Sequence, residues 1–172
     1  MINVEAMSSE SFERFSRRNG GRVFNYVLRM VRNREDAEDI TQEVFLAVHE
    51  KFGGIAPEAR DAYLFRAAYN RTVNFARSRN RNPEVQQSEF VEPATEDPPA
   101  NDDTKNAAIR AAMSRLNDNE RVAVDLKYFQ NMSYGQIAGV LDITPAAVDS
   151  LLIRARRKLK TYISQETQDL VV

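Results

Sequence analysis

The sequence predicts an all-α chain: two small helical domains joined by an acidic, proline-rich segment. Three observations carry this. Apolar residues recur at helical spacing on both sides of the chain's middle, and strand-like alternation is absent. Glycine and proline number six each in 172 residues, which favours long helices over a turn-rich sheet. Residues 82–104, NPEVQQSEFVEPATEDPPANDDT, hold four of the six prolines and seven acids without one base. That composition reads as an extended linker. It leaves residues 1–81 and 105–172, each large enough for a small domain.

In the N-terminal part, Phe12 and Phe15, then Val23, Phe24, Val27, Leu28 and Val31, fall at helical spacing. Asn19-Gly20-Gly21 is expected to break that stretch in two. Asn33 caps a further helix from Arg34 to about Lys51, with an inward stripe of Ala37, Ile40, Val44 and Val48. Phe52-Gly53-Gly54 ends it and Pro57 marks a loop. A last helix runs from Arg60 to about Ser78, with Leu64, Ala68, Thr72 and Phe75 inward.

The C-terminal part offers four helices. Lys105 to Leu116 is the first. Asn117 followed by Glu120 is a capping-box pattern, which starts the second helix. Ser133 with Gln136 repeats the device for the third. Thr144 caps the fourth, where Pro145 occupies the first turn and its missing N–H costs nothing.

Composition narrows the function classes. The chain is 42% hydrophobic, with 24 basic and 25 acidic side chains, so it is near neutral with its charges segregated. Segregated charge is compatible with DNA binding. There is no cysteine, hence no disulfide framework and no thiolate site. The N-terminal MINVEAMSSESFERF has no apolar signal segment, and no stretch approaches a membrane span. A cytoplasmic protein without membrane insertion is the expectation.

Three features carry chemistry. The string from Met132 to Lys160 spells a serine-capped short helix, a tight turn and a long basic helix, which is the pattern of a helix-turn-helix. Ile137, Leu141, Ile143, Val148 and Leu152 supply its packing, and Ala138 is small where the helices approach. The second helix presents Ala146, Ala147, Asp149, Ser150 and Ile153 in its first turns. Small apolar groups meet thymine methyls, Ser150 bonds either partner, and Asp149 can accept from cytosine N4. Arg154, Arg156, Arg157, Lys158 and Lys160 follow and suit phosphates. The competing reading is a helical hairpin with a solvated basic tail.

The helix from Arg60 to Arg81 is the second feature. Arg66, Arg71, Arg77, Arg79 and Arg81 make it cationic, with Asp61 the lone acid. Tyr63, Phe65, Tyr69, Asn70, Asn74 and Phe75 are interleaved. Aromatics stack on unpaired bases and amides read base edges, so the mixture suits single-stranded or melting DNA. The competing reading places the aromatics in the core and leaves the charges solvated. The third feature is a carboxylate stripe, Glu35, Asp36, Asp39 and Glu43 with Gln42 beside them, on one helix face. It reads as a solvated face, a magnesium site of a metal-dependent hydrolase, or a dock for a basic partner. His49, the only histidine, has no cysteine or second histidine to join and reads as a surface or interface residue.

These strings together resemble a known family. NREDAEDITQEVFLAVHEKF followed by AYLFRAAYNRTVNFARSR is similar to the second conserved domain of bacterial sigma factors. SRLNDNERVAVDLKYFQNMSYGQIAGVLDITPAAVDSLLIRARRKL is similar to their fourth. With only a short linker between, the chain resembles the extracytoplasmic-function (ECF) group of the sigma-70 family. The resemblance implies a region 2 bundle over residues 1–81, a flexible acidic linker over 82–104 and a region 4 helix-turn-helix over 105–172.

The same resemblance implies roles. Asp36, Asp39, Gln42 and Glu43 match the surface that grips the β′ clamp of core RNA polymerase. Arg66, Asn70, Arg71, Asn74 and Arg77 fall in the segment that recognises and opens the −10 element, with a base-holding loop before it at about Phe52 to Asp61. Ala146, Ala147, Asp149, Ser150, Arg154, Arg157 and Lys158 fall in the reader of the −35 element. The implied partners are core polymerase, through the β′ clamp and the β flap, promoter DNA and an anti-sigma factor. The implied protein is a monomer when free, not an enzyme, without metal or cofactor. The chain departs from the family pattern at Tyr63, where tryptophan is common, and at Asp149 and Leu151, where Lys or Arg is common. The changes at Asp149 and Leu151 imply a −35 preference of its own, and Gly53-Gly54 with Pro57 make the base-holding loop unusual. The alternative is a stand-alone helix-turn-helix regulator, which leaves the acidic helix and the aromatic-basic helix without roles.

Overall fold

The computed structural model describes residues 10–81 and 103–169, and all regular structure among them is helical. The chain divides into two compact units, Met1–Pro93 and Ala94–Val172. Residues 82–102 of the expected linker lie outside the described residues.

Among the described residues, the N-terminal unit holds three long helices. Helix α1 spans Phe12–Val31, and the Ser11 hydroxyl caps it by accepting from the Arg14 N–H. The break expected at Asn19-Gly20-Gly21 does not occur, and α1 runs straight through it. Asn19 is fully buried, donates to the Phe15 carbonyl at 3.1 Å and accepts from Arg22 at 2.7 Å. Its side chain therefore supports the helix instead of ending it. A glycine costs a helix about 1 kcal/mol, and burial of Phe15, Val23, Tyr26 and Val27 outweighs two of them. Arg32 closes α1 in the left-handed region, φ 58°, with its N–H on the Leu28 carbonyl.

Helix α2 spans Arg34–Lys51, with the Asn33 side chain accepting from the Asp36 N–H at 2.8 Å. Ala37, Ile40, Val44 and Val48 form its buried stripe, as periodicity predicts. Two single 3-10 turns, Phe52–Gly54 and Pro57–Ala59, lead into α3, Arg60–Arg81, which runs three residues beyond its expected end. Leu64, Ala68 and Thr72 are buried as expected, whereas Phe75 is only half-buried against the Arg79 guanidinium. The three helices pack against one another in all pairings.

Among the described residues, the C-terminal unit holds four α-helices. Helix α4, Asp103–Ser114, starts two residues before its expected beginning and packs on α7. Helix α5, Asp118–Val124, begins with a complete Asn117–Glu120 capping box. It passes into a π-type turn, Asp125–Phe129, that periodicity did not foretell. The turn is held by buried Asp125, which accepts from the Gln130 side-chain amide at 3.1 Å. Helix α6, Tyr134–Leu141, has the second capping box, Ser133 with Gln136. Helix α7, Pro145–Asp169, begins where the Thr144 hydroxyl accepts from the Ala147 N–H.

Candidate functional site

Helix α2 turns its polar face outward. Asp39, Gln42 and Glu43 are exposed and Asp36 is half-buried. Leu46, on the turn after Gln42 and Glu43, is 63% exposed and places a large apolar group at the edge of the acidic row. The first-turn acids Glu35 and Asp36 also favour the helix, because its N-terminus carries partial positive charge. Glu35, Asp36, Asp39 and Glu43 do not converge: among the described residues no cluster of three or more metal-ligating side chains is close enough to hold an ion. Two of the acids face arginines instead. Asp36 pairs with Arg79 at 3.5 Å, and Glu43 pairs with Arg71 at 2.6 Å.

Helix α3 lies alongside with the opposite charge. Arg66, Asn70, Arg71, Asn74 and Arg77 are all exposed and recur along one face. Tyr63, Arg66, Ala67, Asn70 and Arg71 line a shallow depression of about 290 Å³. Phe65 belongs to the core, edge-on to Tyr26 at 5.7 Å, while Tyr63, Tyr69 and Phe75 remain half-buried. Asp61, the one acid of α3, is neutralised by Arg18 at 3.4 Å and Arg22 at 3.0 Å of α1. The exposed face of α3 therefore stays cationic. Pairing to α1 was not readable from α3 alone.

The segment before α3 is anchored at both ends. Phe52 is buried among Phe12 and Phe15, and the Arg60 guanidinium stacks on it at 4.0 Å. Arg60 also donates to the Glu10 carbonyl at 3.2 Å. Between these ends Gly53, Gly54 and Ala56–Ala59 stand exposed. His49 is exposed, with its ring edge-on to Phe12 at 4.6 Å.

In the C-terminal unit, α6 and α7 meet at 97°, the angle of a helix-turn-helix. Asp142 makes the elbow in the left-handed region, φ 57°, with its N–H on the Ala138 carbonyl. Ile137, Leu141, Val148 and Leu152 are buried between the helices and Ala138 lies at their approach. Ala146, Ser150, Ile153, Arg154 and Arg157 are exposed along one side of α7, whereas Ala147 and Asp149 are half-buried. The Ser150 hydroxyl donates to the Ala146 carbonyl at 3.1 Å, which leaves its oxygen free to accept. Lys158 is turned inward: its ammonium lies 2.9 Å from both carboxylate oxygens of Glu120, itself 2% exposed. Lys158 thus ties α7 to α5 here rather than facing outward with Arg154 and Arg157. Tyr128 and Phe129, at the end of the π-type turn, are 51% and 45% exposed. Sequence reasoning passed over both because nothing in KYFQ marks them as outward.

Among the described residues no single helix is long and apolar enough to cross a membrane. Comparison with known proteins gives two family matches. Residues 15–82 match sigma-70 region 2, and residues 106–159 match sigma-70 region 4. The chain is 27% identical to the ECF RNA polymerase sigma factor SigE of Mycolicibacterium smegmatis over 92% of its own length and 64% of that protein. It is 25% identical to SigM of Bacillus subtilis, over 86% of this chain and 91% of SigM. It is 28% identical to BldN of Streptomyces coelicolor, over 96% of this chain and 65% of BldN. The chain therefore spans under two thirds of SigE and BldN and most of SigM. In fold it resembles the sigma factor RpoE of Bartonella quintana, solved with the anti-sigma factor NepR, with a TM-score of 0.74, 19% identity and coverage of 89% and 96% of the two chains. It also resembles CnrH, solved with the cytosolic domain of CnrY, with a TM-score of 0.66, 21% identity and coverage of 90% and 88%. With region 2 on the three-helix unit and region 4 on the helix-turn-helix unit, the chain belongs to the sigma-70 family of RNA polymerase sigma factors, in its ECF group.

Proposed function

We propose that this chain binds core RNA polymerase and directs it to promoters, reading the −35 element with α7 and recognising and opening the −10 element with α3. It acts as a non-enzymatic initiation factor in the cytoplasm, where polymerase works. The observation that carries the reading is the exposure of three chemically distinct surfaces on a family fold. These are the outward acids of α2, the outward Arg and Asn row of α3, and the outward small residues of the helix-turn-helix.

Residues 1–81 hold the first two surfaces, 82–104 connect, and 105–172 hold the third. Asp36, Asp39, Gln42 and Glu43 dock on the β′ clamp, which must be basic to receive them. Leu46 adds an apolar contact at that dock. Arg66, Asn70, Arg71, Asn74 and Arg77 take the melted strand, with cations on phosphates and amides on base edges. The depression beside Tyr63 and Asn70 offers an aromatic edge to an unpaired base. Ala146, Ala147, Asp149 and Ser150 face the major groove, while Arg154 and Arg157 take phosphates. Lys158 joins them only by leaving Glu120. The exposed Tyr128 and Phe129 supply apolar surface for the β flap.

Each module alone needs only modest DNA affinity, because polymerase tethers both. The free chain is a monomer and binds promoters weakly. An anti-sigma factor is a further partner, by analogy with the complex of RpoE with NepR. The docking claim is tested by titrating fluorescently labelled chain with core polymerase. Asp39→Arg places a cation in the acidic row and weakens binding by at least about tenfold, as expected when a close charge pair is reversed. Equal affinity of wild type and variant contradicts the assignment of α2.

A further inference from the structure

Helix α7 carries apolar side chains on two opposite sides. Val148, Leu152 and Ala155 are fully buried against the rest of the unit. Ile153 points the other way and is 43% exposed. At about 100° per residue, Ala146, Ser150 and Ile153 fall within about 60° of one another, opposite that buried stripe. Arg157 continues the same side and Arg154 flanks it, both exposed. Ala146 and Ile153 are seven residues apart. At a rise of about 1.5 Å per residue this is about 10 Å, the length of three base steps at about 3.4 Å. Side-chain donors are missing from this stretch. Ala146 and Ile153 have no side-chain polar atom, and the Ser150 hydroxyl spends its proton on the Ala146 carbonyl at 3.1 Å. Asp149, half-buried beside them, only accepts. Leu151 is 9% exposed and packs inward. The first basic side chain of α7 is therefore Arg154.

We infer that Ile153 is a specificity-determining residue: it packs on the C5 methyl of a thymine in the major groove, and the −35 preference of this chain follows from that methyl rather than from a guanine held by arginine or lysine. The inference rests on the function proposed above and deepens it by naming the base that α7 selects. Guanine shows only acceptors in the major groove, N7 and O6, and is read by an Arg or Lys donor. Set against Ser150 and Asp149, those acceptors meet further acceptors. Thymine is the one base that shows a methyl there. An isoleucine covering it takes apolar surface of both partners out of water. Ser150 accepts from an adenine N6 or a cytosine N4, the two donors of the groove. Arg154 and Arg157 hold phosphates, which position the helix and carry no sequence information directly. Asp149 and Leu151, where the family commonly has Lys or Arg, remove the donors and leave the apolar contact to select the base.

The test removes the methyl and nothing else. The full chain with core polymerase first yields a chain-dependent promoter, by mapping of 5′ ends from a genomic library. Synthetic copies of that promoter then carry deoxyuracil in place of one thymine at a time, on either strand of the −35 element. Initiation is measured at limiting holoenzyme with wild type, Ile153→Ala and Arg157→Gln. With wild type, deoxyuracil at one position lowers initiation about three- to fivefold, the size of one buried methyl group. Cytosine at that position also lowers it, and 5-methylcytosine restores part of the loss. Ile153→Ala initiates more weakly on the thymine template and no longer distinguishes thymine from deoxyuracil. Arg157→Gln weakens initiation and keeps the full methyl dependence. The wild-type series requires no variant, so a folding defect in Ile153→Ala leaves the test intact. A flat wild-type series, a −35 element without thymine, or an Ile153→Ala protein that keeps the methyl dependence overturns the inference. If the series is flat while Arg157→Gln still lowers initiation, α7 remains a DNA-binding helix and only the methyl reading falls. If no start depends on the chain, the proposed function falls and the inference with it.

Discussion

The two units of this sigma factor make cross-helix ion pairs of opposite character. In the N-terminal unit Glu43 and Arg71 meet at the surface, each about half exposed. In the C-terminal unit Glu120 is 2% exposed, receives both bonds of the Lys158 ammonium at 2.9 Å, and accepts the Asn117 N–H at 3.3 Å as part of its capping box. A solvated pair contributes little and exchanges readily. A buried carboxylate without its partner is a desolvated charge, so that pair is a structural tie. The contrast matches what each unit is proposed to do. The helix-turn-helix has to present α7 at a fixed angle, whereas α2 and α3 have only to keep their charged rows at the surface for partners.

The largest effect expected from this contrast is Lys158→Met. It leaves the buried Glu120 carboxylate with only the Asn117 N–H as donor, at a cost of about 3 kcal/mol. Hydrogen exchange at α5 and α7, with α1–α3 as internal reference, measures it. Glu120→Gln is next. The amide oxygen keeps the capping bond and Lys158, 41% exposed, turns to water. Its cost is about 1.5 kcal/mol by the same readout, so the cation's removal hurts more than the acid's. Equal losses would mean that Glu120 is not effectively buried. Asn19→Ala follows, at about 1 kcal/mol for its hydrogen bonds inside α1, seen as faster exchange around Gly20 and Gly21. Arg71→Met is the smallest, within about 0.5 kcal/mol in thermal melts. A stability loss as large as that of Lys158→Met would erase the distinction between the two pairs.

How much of this was legible depends on range. Asn33, Asn117, Ser133 and Thr144 cap as read, because a cap is written within three residues of sequence. The α2 stripe and the helix-turn-helix packing follow from periodicity for the same reason. Asn19-Gly20-Gly21 misleads because its local tendency is overruled by burial that only the tertiary fold supplies. Arg32, Asn131 and Asp142 take positive φ without glycine, so no glycine announces those turns. The Glu43–Arg71 pair and the Glu120–Lys158 tie join residues 28 and 38 positions apart, where pattern within one helix is silent. For the same reason Lys158 reads as a phosphate contact among its basic neighbours, while the fold turns it toward Glu120. The α3 row and Glu35, Asp39 and Glu43 of α2 are exposed, whereas Asp36 is half-buried against Arg79, and the pairing of the two helices was not foreseen.

In vitro transcription tests the central claim most directly. Purified chain and core polymerase are supplied with a fragmented genomic library from the source organism, and 5′ ends are mapped. The account predicts start sites that depend on the chain, share paired upstream elements and disappear with Asp39→Arg. Absence of chain-dependent starts from an active core and a folded chain would contradict it, and would shift the reading to a stand-alone helix-turn-helix regulator.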